Sequence, residues 1–405
     1  MVYTRLFTKE KIVFVALSSL LLSGCATVKI PNVGESGYSQ ADDEKRLQKR
    51  SEEFVEEIAE GDLLYPDLGL ETYLNRLAMR LLPEEVKKEN LKITVKVIKD
   101  PTLNAFALPN GYIYIHTGML AAIDNEAQLA TLLGHEMTHI LHRHAVKQFR
   151  SLTNKSAFFA VLQAPLAYAG GDLASLAAQV TFISSVYGFS RELEDEADDT
   201  GFAMIRTDGY DPAEAVKLFE HLEQFIKDEE LKLPFFFSTH PNVVARKKNY
   251  QKLIAKSPPA AATEQRVTGD MAYQPLTKPV VLDNVMWCFQ KGMFKTAERH
   301  IQNFLQRYPH EAAGYYLKGE LFRQRQDFSK KEKKRDKTKD FPEALAAYEQ
   351  AIALDQNWAP AYQGRALVYQ KQGNIPEAKA AFKKYLEINP NVADKAYVEN
   401  FLSTH

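Results

Sequence analysis

The sequence predicts a mostly α-helical chain in two parts: an α+β domain with a small β-sheet, then an α-solenoid of stacked helix pairs. Three observations carry this. Histidine and acidic residues stand at helical spacing in two stretches, 135–139 and 190–198. Short alternating apolar runs around an Asn110-Gly111 pair precede the first stretch. Past residue 280, small and aromatic positions return at a 34-residue interval.

At the start, Arg5, Lys9 and Lys11 precede an apolar run from Ile12 to Leu22, too short to span a bilayer comfortably and of signal-peptide length. Leu22-Ser23-Gly24-Cys25 resembles a bacterial lipobox, which implies a lipoprotein signal peptide over 1–24, cleavage before Cys25 and acylation of Cys25. Several acyl chains anchor stably where one does not. Ala26 rather than Asp follows the cysteine, and by resemblance to enterobacterial sorting this implies the outer membrane. With Cys25 lipidated, Cys288 is alone and no intramolecular disulfide can form, so stability must come from core burial. The 405 residues, 45% hydrophobic, suffice for two domains, and a net charge of −1 argues against a general nucleic-acid binder.

Residues 25–41, rich in Pro, Gly, Ser and Asn from Lys29 to Gln40, read as a tether, and a charged helix follows from Asp42 to about Glu60. Ile93, Val95 and Val97 alternate with polar neighbours, and Asn110-Gly111 between Ala105–Leu108 and Tyr112–His116 is a hairpin signal. A small sheet should therefore sit beside the next helix. Asp124 is a candidate N-cap, and Ala127, Ala130, Leu133, Met137, Ile140 and Leu141 recur at helical spacing.

That helix carries His135-Glu136-Met137-Thr138-His139. At 3.6 residues per turn, His135 and His139 share one face and can reach a common ion, while Glu136 flanks it. A carboxylate there can take a proton from a water that the ion polarises and pass it to a leaving amine. Buried, the three groups would be costly to desolvate unless a metal satisfied them. Catalytic zinc takes three protein ligands, so a third is expected downstream. In Ser190 to Asp198, a stretch without Pro or Gly, Glu194 and Asp198 stand four apart, which lets Glu194 bind the ion and Asp198 accept the spare N–H of a ligand histidine. Glu192 and Glu196 form a competing pair, and spacing does not choose between them.

Gly134 to His139, Ser190-Arg191 through Glu194 with Ala197-Asp198, and Thr239-His240-Pro241 followed by Arg246 resemble the motifs of the gluzincin metallopeptidases of the CAAX prenyl protease type, as do Asn104 to Pro109 with Gly111 to Ile115 and Gly118. The likeness covers roughly Tyr65 to Tyr250. It implies a zincin-type peptidase domain with one zinc ion held by His135, His139 and Glu194, with Glu136 as general base and Asp198 holding a ligand from behind. It also places His240 near the metal, where it would donate to the developing oxyanion or take the open zinc position. Arg246 is expected to pair with an acidic residue near Glu194, and the edge strand Asn104, Ala105, Phe106 and Ala107 to take substrate by main-chain hydrogen bonds. His142 and His144 read as helix-end or surface histidines.

Ser156 to Tyr187 is apolar but broken by Gln163, Pro165, Gly170-Gly171, Asp172 and Gln179, so two short helices are expected rather than a span. The peptidase domain is taken as 42–255 and the linker as 256–280, with Ser257-Pro258-Pro259 inside it. In 281–405, Ala344, Tyr348, Ala351 and Gln356 return 34 positions later as Ala378, Phe382, Tyr385 and Pro390, the tetratricopeptide (TPR) period. Gly292, Ala297 and Pro309 fit an earlier unit, giving three, with a basic insertion over 329–340 in the middle one. Such units leave a concave surface for peptides or partner helices.

A peptidase followed by TPR units is similar to BepA-type periplasmic proteases, whereas the lipobox resembles the lipoprotein branch of the family. The resemblance implies a zinc endopeptidase at the periplasmic face of the outer membrane, anchored there by lipid, that cleaves misfolded or stalled envelope proteins. Its TPR units would bind clients or an outer-membrane assembly machine. The alternative is a lipid-anchored TPR scaffold or chaperone with a closed or seldom active peptidase domain.

Overall fold

The computed structural model describes residues 31–33, 35, 41–88, 91–151, 189–228, 240, 243–257, 267–328 and 339–404. The signal peptide, Cys25, most of the tether, the apolar segment 156–187, the neighbours Thr239 and Pro241 of His240, and nearly all of the insertion 329–340 lie outside the described residues.

In chain order the elements are α1 (Asp42–Glu60), α2 (Leu68–Leu81), α3 (Glu84–Lys87), β1 (Thr94–Ile98), β2 (Ala105–Ala107), β3 (Tyr112–His116), α4 (Thr117–Ala122), α5 (Glu126–Leu141), α6 (His144–Ser151), α7 (Arg191–Thr207), α8 (Ala213–Asp228), α9 (Val243–Lys256), α10 (Asp270–Gln290), α11 (Phe294–Arg307), α12 (Ala312–Phe328), α13 (Asp340–Leu354), α14 (Ala359–Gln372), α15 (Ile375–Ile388) and α16 (Lys395–Thr404). The protein is mostly helical with one small sheet, as the sequence predicts. Contacts divide it into two compact units, Met1–Gln224 with Leu233–Thr277 and Phe225–Lys232 with Lys278–His405.

In the first unit the sheet has the order β1-β3-β2, with β1 parallel and β2 antiparallel to β3. The Asn110-Gly111 turn joins β2 to β3: Leu108 N donates to Tyr112 O at 2.7 Å, and Gly111 has φ +92°. A Cβ at Gly111 would meet Lys92 O at 2.2 Å, so only glycine fits. The outer side of β1 is taken. Asn75 of α2 clasps Val95, accepting from its N at 2.9 Å and donating to its O at 3.0 Å, while Tyr65 N and Lys99 N bond Val97 O and Leu63 O across the same strand. Among the described residues β2 pairs only with β3, so no strand pairs its other edge.

The core sits between α1, the sheet and α6, where Leu47, Phe54 and Ile58 pack on Phe106, Tyr114, Val146 and Phe149. Ion pairs from Arg150 to Asp43 and from Arg143 to Glu44 fasten α1 over α6. Arg143 is in the left-handed region at φ +56° and turns the chain between α5 and α6. Helix α5 starts one residue later than the sequence suggested. Asn125, not Asp124, is the N-cap, because its extended backbone lets its side chain accept from Gln128 N at 2.9 Å.

The second unit is built of helix pairs: the residues of α10 from Lys278 with α11, then α12 with α13 and α14 with α15, followed by α16. Their buried faces use the repeat positions. Ala344, Tyr348 and Ala351 pack on Ala361 and Val368, and Ala378, Phe382 and Tyr385 pack on Ala359 and Tyr362. The Tyr348 ring fits against Gly319 and Gly364, where an added Cβ would come within 2.4 Å of it. Among the described residues no helix is long and apolar enough to cross a membrane.

Candidate metal centre

Helical spacing on α5 places His135, Glu136 and His139 at the buried heart of the first unit, 0%, 0% and 3% exposed. Helix α7 is capped by Ser190, whose hydroxyl accepts from Leu193 N, and carries Glu194 and Asp198 inward at 2% and 0% exposure. The two helices meet where Gly134 faces Gly201. A Cβ on Gly201 would lie 3.0 Å from Gly134 C and from His135 N.

This approach brings the donor atoms together. His135 Nε2 lies 3.0 Å from His139 Nε2 and 3.5 Å from Glu194 Oε2, and His139 Nε2 lies 3.5 Å from Glu194 Oε1. His240 joins them, with Nδ1 at 2.9 Å from Glu194 Oε1 and 3.1 Å from His135 Nε2. One atom from each of the four lies within 4.8 Å of the others. Zinc bonds of about 2.0–2.2 Å in a tetrahedron put ligand atoms roughly 3.3 Å apart, so this set of imidazole nitrogens and a carboxylate fits the ion.

His135 and His139 are each tied at Nδ1. His135 Nδ1 lies 2.9 Å from Asp198 Oδ1, and Arg246 donates to the same carboxylate from Nη2 at 2.7 Å and from Nε at 3.1 Å. Arg246 Nη2 is also 2.9 Å from His135 Nδ1, but a guanidinium can only donate; with the ring proton on Nδ1, both bonds go to Asp198. Arg246 is 5% exposed, stacks over Phe219 at 5.0 Å and stands 3.9 Å from Glu194. His139 Nδ1 lies 2.8 Å from His144 Nδ1, and Phe189 stacks on the His139 ring at 4.0 Å.

Electrostatics follow from burial and charge. Burial works against the charged form of Glu194, but His240 and His135 hold its carboxyl well below the usual range. Asp198 is likewise held down, with Arg246 outweighing burial. Burial and Arg246 push His135 down, yet the Asp198 and Glu194 carboxylates prevail and raise it to about 9. His139 goes the other way, lowered by burial and by its neighbour His135, and burial lowers His144 to about 4 despite Glu196. Glu136 differs from all of these. Among the described residues neither of its oxygens accepts a hydrogen bond, and the nearby His240 Nε2 is 3.5 Å away.

The structure therefore gathers His135, Glu136, His139, Glu194, Asp198, His240 and Arg246, and the partner that spacing left open for Arg246 is Asp198. Of the competing acidic pair, Glu192 is exposed and Glu196 faces His142 and His144 instead. Asn104, Ala105, Phe106 and Ala107 are all buried along β2 and its approach, and among the described residues neither polar side-chain atom of Asn104 has a hydrogen-bond partner. Of the two readings for His144, the helix end holds, since it is the first residue of α6, and the surface is corrected: it is 0% exposed and packed against His139, because the left-handed turn at Arg143 folds α6 back behind the motif. Sequence reading also missed Phe189 and Gly201. A glycine inside an otherwise helical stretch was the one signal for the latter.

Residues 69–254 match Peptidase family M48, and residues 337–373 and 359–392 match tetratricopeptide repeats. Among curated proteins, the chain is 30% identical over 239 residues to mitochondrial metalloendopeptidase OMA1 of Schizosaccharomyces pombe, covering 58% of this chain and 66% of that one. It is 34% identical over 201 residues to metalloendopeptidase OMA1 of Danio rerio, with 47% and 40% covered. To the beta-barrel assembly-enhancing protease of Escherichia coli K12 it is 27% identical over 199 residues, with 48% and 40% covered. The chain thus spans about half the length of the curated relatives it matches. The histidine motif, the acidic helix and Arg246 all fall within residues 69–254, the segment that matches Peptidase family M48, and the segments that match tetratricopeptide repeats follow it.

Proposed function

We propose that this protein is a zinc-dependent endopeptidase of the bacterial cell envelope. In this reading it is held by a lipid on Cys25 at the periplasmic face of the outer membrane, as a lipoprotein of the BepA-like branch, and cleaves misfolded or stalled envelope proteins. The observation that carries it is the convergence of His135 Nε2, His139 Nε2 and the Glu194 carboxylate, each ligand histidine being tied at Nδ1. The names of the mitochondrial and bacterial relatives support endopeptidase action, and the bacterial one supports a link to outer-membrane assembly.

His135, His139 and Glu194 would hold the zinc ion, which would supply Lewis acidity toward a peptide carbonyl and toward water. Glu136, buried and with no hydrogen-bond partner among the described residues, is the base: it takes the proton of the attacking water and delivers it to the departing amine. His240, with Nε2 turned toward Glu136, donates to the oxygen on which charge develops. Asp198 fixes the tautomer of His135, and Arg246 keeps Asp198 ionised. The edge of β2 that no strand pairs among the described residues, and the Asn104 amide, which has no hydrogen-bond partner among them, bind an extended substrate through its main chain, and the TPR units bind clients or an assembly machine.

The near-complete burial of Glu136 and His240, 0% and 1% exposed, favours as a second reading a TPR scaffold whose peptidase domain is closed or seldom active. One experiment separates the two. Full-length protein is assayed on an unfolded polypeptide with and without chelator, beside Glu136→Gln. Loss of cleavage with chelator and with Glu136→Gln is expected; cleavage that survives the substitution overturns the mechanism. If cells depleted of the protein are rescued equally by Glu136→Gln, the scaffold reading stands.

A further inference from the structure

His144 stands in line behind His139. Their Nδ1 atoms are 2.8 Å apart, the rings meet edge to face at 4.9 Å, and His144 is 0% exposed. On its far side, His144 Nε2 makes no hydrogen bond among the described residues and faces Glu196 Oε2 at 3.5 Å. Glu196 is itself held, by His142 Nδ1 at 2.5 Å and by Lys147 Nζ at 3.4 Å.

Counting protons sets the direction of this chain. Only one proton can lie between two ring nitrogens that close. A ligand histidine must keep its Nε2 lone pair for the ion, so the proton of His139 is on Nδ1 and points at His144. His144 then accepts at Nδ1 and carries its own proton on Nε2, the atom that faces Glu196. Phe189, stacked on His139 with the planes 12° apart, restrains the same ring on its face.

We propose that His144 and Glu196 are positioning residues of the metal centre: a carboxylate-anchored imidazole that fixes the tautomer and ring plane of His139. The inference rests on His139 being a metal ligand, as proposed above. The two ligand histidines would then be supported differently, His135 directly by a charged carboxylate and His139 through a neutral ring.

His142, His144 and Glu196 also offer ligand atoms within 4.8 Å of one another, but a second ion does not fit them. Bound through Nε2 while Nδ1 accepts from His139, His144 would have no ring proton left and would have to be an imidazolate. The Lys147 ammonium beside Glu196 opposes a further cation as well.

The test is zinc affinity of the full-length protein, by competition with a chromophoric chelator, together with the visible spectrum of the cobalt-substituted form. His144→Phe keeps an aromatic ring but removes the acceptor, His144→Gln restores a carbonyl acceptor, and Glu196→Gln removes the anchoring charge. Expected are a loss of about 10–100-fold in zinc affinity with an altered cobalt spectrum for His144→Phe, substantial recovery in His144→Gln, and a smaller loss for Glu196→Gln. Wild-type affinity in His144→Phe, or equal loss in His144→Phe and His144→Gln, overturns the relay. Uptake of two zinc ions, with only the second lost in these variants, overturns it in favour of a second site. A wild type that binds no zinc, or a His139→Ala variant that binds it as tightly, would instead defeat the ligand assignment on which the relay rests.

Discussion

Gly134 and Gly201 face each other across the crossing of α5 and α7, so closely that a Cβ on Gly201 would stand 3.0 Å from backbone atoms of Gly134 and His135. This crossing sets the distance between His135 and His139 on one helix and Glu194 on the other. Gly201→Ala would gain about 1 kcal/mol in helix propensity. The clash is with backbone, which cannot rotate away, and overpacking of that kind costs about 1–3 kcal/mol. A net loss of stability is therefore expected, with weaker zinc binding as the helices part. Denaturant midpoints followed by circular dichroism, measured with and without zinc, check it.

Arg246 is the cation that balances Asp198 and stands near Glu194, all within buried surroundings. Arg246→Met should destabilise the first unit by about 3–5 kcal/mol, because it leaves buried carboxylates without their partner. Arg246→Lys should fall between, since a point charge cannot reproduce the two-pronged contact. Thermal unfolding and zinc content of the two variants would be compared. If Arg246→Met matched the wild type in both, Arg246 would have no part in supporting the site.

In the repeat unit, burial raises Glu320, but its bonds to Arg323, Tyr348 and Gln324 hold it below the ordinary value of 4.5. A lowered carboxylate contributes stability above the unfolded value and loses it as pH falls through the folded one. Glu320→Gln should therefore cost about 1.5–3 kcal/mol at neutral pH, and the difference from wild type should shrink at successive steps below 4.5. The chain has two tryptophans, Trp287 and Trp358, both in this unit, so their fluorescence during denaturant unfolding reads the effect.

What the sequence made legible was whatever repeats or turns locally. The period of α5 placed His135, Glu136 and His139 on one helix, Asn110-Gly111 set the β2–β3 hairpin, and the 34-residue interval set the repeat faces around Tyr348 and Phe382. Asn125 and Asp124 are both able caps, and only the extended backbone at Asn125 decides between them. The contact of His144 with Glu196 was not legible, because the two meet across 52 positions, through a turn at Arg143 that no local pattern announces. The face of Phe189 on His139 and the approach of Gly201 to Gly134 are likewise products of helix packing, to which spacing along one segment is blind.

The most direct measurement is the zinc content of purified full-length protein and of Glu194→Ala, with hydrolysis of an unfolded polypeptide followed in the same samples. One zinc per wild-type chain is expected, with zinc and hydrolysis lost together once Glu194 is removed. A Glu194→Ala protein that kept one zinc ion and cleaved at the wild-type rate would contradict the account.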